Sequence, residues 1–195
     1  EVKAAILDPH GNLETELFGR TDKDRITLSG KINCPKLWNG VNSPGLYRAE
    51  ITLFCNGEPV DSIEQEFGIR SYRIDADNGF FLNGKPYPLH GVNYHQDSYE
   101  SGWAMTGAQR ERDYRIIRDM GCTAVRMAHY QHCDHEYSLC DRLGLCVWTE
   151  IGIINKMSAD DSDAHVLSDG FGDNAKQQLR ELIRQNYNHP SVIVW

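Results

Sequence analysis

Residues 121–150 of this 195-residue chain read GCTAVRMAHYQHCDHEYSLCDRLGLCVWTE. The apolar run Cys122–Met127 predicts a strand, and the run Leu145–Trp148 predicts another. Between them, a helix is expected to start near Asp134 and to end at Gly144, with an inward face made of Tyr137, Cys140 and Leu143. Strand, helix and strand in this order predict two parallel strands joined by a right-handed crossover.

The alternation of strands and helices continues on both sides of this unit. Upstream, Pro88–Asn93 predicts a strand, and Thr106 is expected to cap a helix with one face made of Ile116, Ile117 and Met120, with Gly121 after its end. Downstream, Asp173 or Asn174 is expected to cap a helix with an apolar face at Ala175, Leu179, Leu182 and Ile183, and Ser191–Trp195 predicts the last strand.

Repeated strand–helix units indicate a parallel sheet, which is either the first half of an eight-stranded α/β barrel or a doubly wound sheet. No Gly-x-Gly-x-x-Gly follows the first of these strands, which counts against a dinucleotide-binding fold.

In the first part of the chain, apolar residues recur at every second position. Alternating apolar residues run from Tyr47 to Cys55, and Asn56-Gly57 predicts a hairpin turn before the return strand. About five short strands with regular turns indicate a β-sandwich, in which ~7 strands would be usual. We therefore expect two domains, residues 1–74 as a β-sandwich that lacks its start and residues 75–195 as the α/β domain.

Composition excludes several partners. The net charge of −8 argues against nucleic acid or an anionic membrane as a ligand. No apolar run approaches the ~18 residues of a membrane span. The six cysteines are scattered, which favours a reducing compartment. We expect a cytoplasmic bacterial protein, with a periplasmic or secreted location as the alternative.

Polar side chains follow three consecutive predicted strands. They are Asn93, His95 and Asp97 at and after the end of the first, Arg126 and His129 at the end of the second, and Glu150 at the end of the third. The carboxyl ends of parallel strands meet at one rim, where α/β barrels build their active sites. Such groups suit a polyhydroxylated ligand, because each hydroxyl both donates and accepts. Solvated loop residues are the alternative interpretation.

Two metal sites are weaker alternatives. His129, His132, Cys133 and His135 are crowded enough to suggest zinc, but no second Cys/His pair completes a tetrahedral set. The long loop after Gly152 carries four aspartates at positions 160, 161, 163 and 169, whose spacing is not that of a calcium-binding EF-hand. We interpret that loop as a solvated rim.

Several segments together resemble glycoside hydrolase family 2. They are Phe67–Arg70, Asn83–Lys85, His90–Asp97, Val125–Tyr130, Val147–Glu150 and Asn188–Trp195, and the stretches Pro35–Trp38 and Pro44–Tyr47 resemble the family's immunoglobulin-like domain. The resemblance implies an immunoglobulin-like β-sandwich followed by the first half of a (β/α)8 TIM barrel. It also implies a retaining glycosidase, which needs two carboxyl groups ~5–5.5 Å apart.

The resemblance implies roles for the strand-end residues. His95 and Asp97 resemble sugar-hydroxyl contacts, and Arg126 and His129 resemble groups in and behind the substrate pocket. Asn93 resembles a further contact, and Glu150 a supporting residue. The family's acid/base Glu follows the strand matched by Val192–Trp195, and its nucleophile comes later still. We therefore expect no catalytic residue in this chain, and no activity from it alone.

The resemblance also bears on cofactor, substrate and assembly. Ile154 and Lys156 stand where large β-galactosidases bind magnesium through Glu and His, which puts a magnesium site in doubt. The expected parent enzyme is a β-galactosidase acting on a β-linked carbohydrate. The alternatives are a β-glucuronidase, a β-mannosidase or a non-catalytic carbohydrate-binding module. Because half a barrel leaves sheet edges open, we also expect a homo-oligomer.

Overall fold

The computed structural model describes residues 1–153 and 170–195, which form two compact units. The first unit comprises residues 1–87 and 188–190, and the second comprises residues 88–187 and 191–195. Within the described residues, no helix is long and apolar enough to cross a membrane.

The first unit is built on a four-stranded antiparallel sheet. Its strands are β1 (Val2–Leu7), β2 (Leu13–Gly19), β3 (Tyr47–Cys55) and β4 (Glu58–Phe67), in the order β2-β1-β3-β4. The β3–β4 hairpin turns at Asn56-Gly57, where both residues have positive φ, as the sequence predicted.

Residues 26–30 cover part of one face of this sheet. A Cβ built on Gly19 would lie 2.4 Å from Ile26 Cδ1 and 2.5 Å from Leu28 Cδ2, and one on Gly30 would lie 2.7 Å from Leu17 Cδ2. At both places the glycine therefore lets an aliphatic side chain pack directly on the backbone.

A second, smaller sheet completes the first unit. It consists of β5 (Tyr72–Asp75), β6 (Gly79–Leu82) and β7 (Lys85–Pro86), in which β6 and β7 form a small hairpin. The unit also has a 3₁₀ turn, Gly40–Asn42. Trp38 and Tyr47 are fully buried, and the Tyr47 hydroxyl accepts a hydrogen bond from Lys36 N at 2.9 Å.

The second unit is a parallel sheet with helices between its strands. In chain order it contains β8 (Gly91–Tyr94), α1 (Gly107–Asp119), β9 (Ala124–Met127), α2 (Asp134–Leu143), β10 (Cys146–Thr149), α3 (Phe171–Asn186) and β11 (Val192–Val194). The strand order is β11-β10-β9-β8. Sequential parallel neighbours are the arrangement of an α/β barrel, and the expected fold class is confirmed.

The register of this sheet separates its two faces. Tyr94, Met127 and Thr149 are opposite one another, and all three are buried. Tyr94 packs its ring 4.9 Å from that of Tyr114 on α1, and Thr149 is bonded to Tyr137 on α2, so this row faces the helices. The alternate row, Asn93, Arg126 and Trp148, therefore projects from the other face.

The helix ends follow local capping chemistry. Thr106 caps α1 in a reciprocal capping box with Gln109, and Gly144 closes α2 with a φ of 74°, as the sequence predicted. The expected cap of α3 was wrong, because that helix begins at Phe171 with Gly170 at the N-cap. Asp173 and Asn174 therefore lie inside its first turn.

The predicted inward face of α1 was also partly wrong. Ile117 is buried, but the side chains of Ile116 and Met120 are 51% and 65% exposed. Tyr114, three residues before Ile117, is the other buried side chain. A helix turns 100° per residue, so Tyr114 and Ile117 lie on one buried face of α1. Position 116 is then rotated out of that face.

Candidate functional site

A bidentate ion pair joins two neighbouring strand ends on the helix-free face. Arg126 Nε donates to Glu150 Oε1 at 2.6 Å, and Arg126 Nη2 donates to Glu150 Oε2 at 3.1 Å. The side chains are 32% and 19% exposed. Two parallel charge-assisted hydrogen bonds fix the guanidinium in orientation as well as in position.

The same guanidinium extends to a third strand. Arg126 Nη1 donates to Asn93 Oδ1 at 3.2 Å, so one side chain links β8, β9 and the end of β10. The Trp148 ring centroid lies 5.6 Å from Arg126 Cζ, close enough for a cation–π contact. Asn93, Arg126 and Trp148 are adjacent because they occupy the same register position on three strands.

His129 follows β9 in a left-handed backbone conformation, with a φ of 74°. This conformation directs its N–H to Glu150 Oε2 at 2.5 Å, and its Nδ1 lies 3.8 Å from the same oxygen. A positive φ is costly for a residue with a Cβ and is retained where the surroundings determine it, which is typical of functional sites.

The surroundings of Glu150 hold it in its charged form. Partial burial raises the pKa of this carboxyl, but the hydrogen bonds from the His129 N–H and the Arg126 guanidinium outweigh that effect and lower the pKa overall. Glu150 is therefore ionised at neutral pH and cannot serve there as a proton donor. Its geometry is that of a group that positions Arg126 and the His129 backbone.

His95 lies beside this cluster, and Asp97 follows it on the same loop. The His95 ring centroid is 5.2 Å from that of His129 and 6.4 Å from that of Tyr130. Asp97 is exposed on the same loop, where its backbone N–H donates to His95 O at 2.9 Å. The structure thus brings Asn93, His95, Arg126, His129 and Glu150 together, and Asp97 is two residues beyond His95.

Sequence reasoning missed an aromatic group next to these residues. Trp103 stacks on Tyr130 with ring centroids 4.8 Å apart, and Tyr130 stacks on His132 at 5.0 Å. The Tyr130 hydroxyl accepts a hydrogen bond from the Gln96 N–H, while burial raises its pKa. One signal in the sequence could have indicated this group. Trp103 is an aromatic residue in the loop after β8, a strand whose end carries polar residues.

The His and Cys residues weighed as a zinc site make other contacts. His132 Nδ1 is 2.8 Å from Glu136 Oε2, both side chains are fully buried, and Arg110 Nε donates to Glu136 Oε1 at 3.1 Å. Across residues 1–153 and 170–195, no three His, Cys, Asp or Glu side chains gather as a metal site. Ile154, Lys156 and the four loop aspartates lie outside the described residues.

Comparison with known proteins gives the family. The model of the TIM barrel domain of Glycosyl hydrolases family 2 matches residues 74–195, and a second model of Glycosyl hydrolases family 2 matches residues 1–70. The chain therefore belongs to glycosyl hydrolases family 2. The two family matches meet between residues 70 and 74, whereas the compact units divide after residue 87. The expected domain boundary at residue 74 therefore stays a prediction.

Curated relatives carry two different names. A β-glucuronidase of Bacteroides fragilis is 44% identical over 164 residues, which cover 84% of this chain and 24% of that protein. A β-galactosidase of Bacteroides ovatus is 32% identical over 199 residues, which cover 100% of this chain and 23% of that protein. The chain thus spans about a quarter of the length of these relatives.

A solved structure shows the same fold. Bacteroides uniformis β-glucuronidase 2, covalently bound to cyclophellitol-6-carboxylate aziridine, aligns with a TM-score of 0.84 and 35% identity. The alignment covers 100% of this chain and 23% of that one.

Proposed function

We propose that the whole protein is a retaining β-glycosidase, and that the residues described here form part of its sugar-binding floor. The observation that carries the proposal is the Arg126 guanidinium, fixed at once by Glu150 and Asn93 on the helix-free face of a parallel sheet. Strand ends of this kind are where TIM-barrel enzymes bind substrate.

The polar groups at this rim suit sugar hydroxyls. Asn93 and His95 are exposed, and each can donate and accept hydrogen bonds. Arg126 and Glu150 satisfy one another, so their role is to hold these neighbours in place. Trp148 lies beside Arg126 on the same face of the sheet, and its ring is of the kind that packs on the C–H face of a sugar. This arrangement positions a sugar ring before any bond is broken.

We assign neither catalytic carboxylate to Glu150. Retaining glycosidases use one carboxyl as nucleophile and a second as acid/base, ~5–5.5 Å apart. Glu150 is engaged by two guanidinium hydrogen bonds and one backbone N–H, which lower both its basicity and its nucleophilicity. We therefore propose that both catalytic carboxylates belong to parts of the protein outside these 195 residues.

The terminal sugar has two candidates. A neutral β-galactoside, the substrate expected from the sequence, fits a rim whose arginine is already paired with Glu150. A β-glucuronide is supported by the names of relatives that are 44% and 35% identical. Its carboxylate would need a cation other than Arg126.

The test is an assay of the complete gene product and of the 195-residue chain on 4-nitrophenyl β-D-galactoside, β-D-glucuronide and β-D-mannoside. We expect the complete protein to hydrolyse one of them with retention, and the chain to hydrolyse none. In the complete protein, Arg126→Gln should lower kcat/KM about ten- to hundredfold, because hydrogen bonds to a charged group are lost.

Arg115→Gln is the matched control, since Arg115 is exposed on α1 and its nearest contact with Glu111 is 3.7 Å. That variant should retain wild-type activity. A complete protein inactive on every β-glycoside would refute the proposed function. Turnover by the purified chain would refute the assignment of the catalytic carboxylates to residues outside it.

A further inference from the structure

The loop after β8 is a hairpin held by its own hydrogen bonds. Ser98 N donates to Gly102 O at 3.0 Å, and Gly102 N donates to Ser98 O at 2.8 Å. The hydroxyls of Ser98 and Ser101 are 2.8 Å apart, and Ala104 N donates to Ser101 O at 3.0 Å. The direction in which Trp103 leaves this hairpin is therefore set by the backbone.

Trp103 is the outer member of a stack of three rings. Its indole lies nearly parallel to the Tyr130 ring, with an interplanar angle of 29°, and Tyr130 lies at 23° to His132. The innermost ring is fully buried, whereas Trp103 is 64% exposed. An aromatic ring that packs on one side and faces solvent on the other is a preformed stacking surface.

The stack is anchored at its buried end. Glu136 accepts from Arg110 Nε at 3.1 Å and is 2.8 Å from His132 Nδ1, so the inner ring cannot rotate without losing its hydrogen bond to a buried carboxylate. Gln96 ties the two loops together, since its N–H donates to the Tyr130 hydroxyl and its Oε1 accepts from Cys133 N at 3.1 Å.

A chain of rings separates this surface from the ion pair. His129 is next to Glu150, and His95 lies 5.2 Å beyond His129. Tyr130 lies 6.4 Å from His95, and the indole lies 4.8 Å from Tyr130. Trp103 thus packs on Tyr130 and is not a member of the strand row Asn93, Arg126 and Trp148. We therefore place the indole beside the site of the terminal sugar, where it meets the next ring of a substrate.

We propose that Trp103 forms a second-ring subsite, which stacks on the flat face of the group attached to the terminal sugar. This inference rests on the proposed glycosidase function and adds a specificity-determining residue to it. The second ring is an aromatic aglycone or another pyranose, because both present a flat face to an indole. Trp103 acts on binding and takes no part in bond cleavage.

The test compares glycosides of the preferred sugar in the complete gene product. Trp103→Ala should raise KM about three- to tenfold for the 4-nitrophenyl glycoside, the range that a ring–ring contact provides, with little change in kcat. The methyl glycoside, which has no second ring, should be hydrolysed with unchanged KM. Trp103→Phe should restore most of the lost affinity. A disaccharide of the same sugar shows whether a pyranose uses the surface as well.

Tyr187→Ala is the matched control for removing an exposed aromatic ring, because Tyr187 ends α3 at the opposite rim of the sheet. It should leave both KM values unchanged. An equal loss on aryl and methyl glycosides would show that Trp103 only supports Tyr130 and would overturn the subsite, as would no loss on either. Wild-type protein inactive on every glycoside would instead count against the glycosidase function.

Discussion

Glu150 shows how a carboxylate at a strand end can fix the orientation of its neighbours. It receives two hydrogen bonds from Arg126 and one from the His129 backbone. These interactions favour the charged form, so the pKa of Glu150 is lowered below its ordinary value of 4.5. A group whose pKa is lowered by folding stabilises the folded state above its unfolded pKa, and the contribution is lost as the pH falls.

Glu150→Gln should therefore destabilise the protein at neutral pH by about 1–3 kcal/mol, because Arg126 loses a charged partner in a partly buried position. Urea unfolding at about pH 7 and at about pH 3.5 measures this difference, which should shrink at the lower pH as wild-type Glu150 becomes protonated. Glu111→Gln, which removes an exposed pair with Arg115, should change stability by less than about 0.5 kcal/mol at either pH. A difference for Glu150→Gln that is independent of pH would contradict the ionic origin of the effect.

At the scale of elements, α1 carries the clearest sequence-encoded boundary. Thr106 accepts from Gln109 N at 3.3 Å, and the Gln109 side chain accepts in return from Thr106 N at 2.7 Å. Reciprocal bonds satisfy two backbone donors that the first turn would otherwise leave open. The loop that carries Trp103 ends at this cap, so the start of α1 also fixes the far end of the loop.

Thr106→Ala should lower the free energy of unfolding by about 1 kcal/mol, with the loss of the N-cap hydrogen bond as the cause. Thr106→Ser, which keeps the hydroxyl, should remain close to wild type in the same denaturation experiment. If the alanine variant were as stable as the serine variant, the capping box would contribute nothing measurable to the fold.

At the scale of the whole molecule, the exposure of the cysteines can be used to test the folding of both units in one experiment. All six are free thiols: Cys34 and Cys55 are exposed in the first unit, while in the second Cys133 is partly buried and Cys122, Cys140 and Cys146 are buried. Burial also raises the pKa of the Cys140 thiol well above its ordinary value, which removes the reactive thiolate.

A thiol reagent should therefore modify two cysteines rapidly in the native chain and all six after denaturation without a reductant. The time course of reaction with Ellman's reagent measures both values. Cys34→Ser should remove one rapidly reacting thiol and leave the protected set unchanged. Fewer than six thiols in the denatured chain would show that a disulfide forms in this protein.

Much of the fold could be predicted because its signals are local. The spacing of apolar residues and the glycine at position 144 located α2 to within a residue, and the two-residue turn located the β3–β4 hairpin. The start of α3 was misplaced because its N-cap is Gly170, which makes no side-chain capping bond and so leaves no polar signature.

The sequence predicts which residues gather at the candidate site, but it does not predict the hydrogen bonds among them. Alternation along β8 and β9 places Asn93 and Arg126 on one face, and parallel register then makes them neighbours. That Glu150 engages the guanidinium depends on χ angles and on the left-handed turn at His129, which no spacing rule encodes. Trp103 was missed because its partner, Tyr130, lies in a different loop.

The self-closed hairpin at Ser98–Gly102 makes this loop a self-contained part of the fold. Its hydrogen bonds are internal, while Arg126 fastens the row of strand-end residues from strand to strand. We therefore expect residues within the hairpin to be exchangeable without disturbing that row. Under the proposed subsite, grafting a different loop at this position would alter the leaving-group preference and leave the binding of the terminal sugar unchanged.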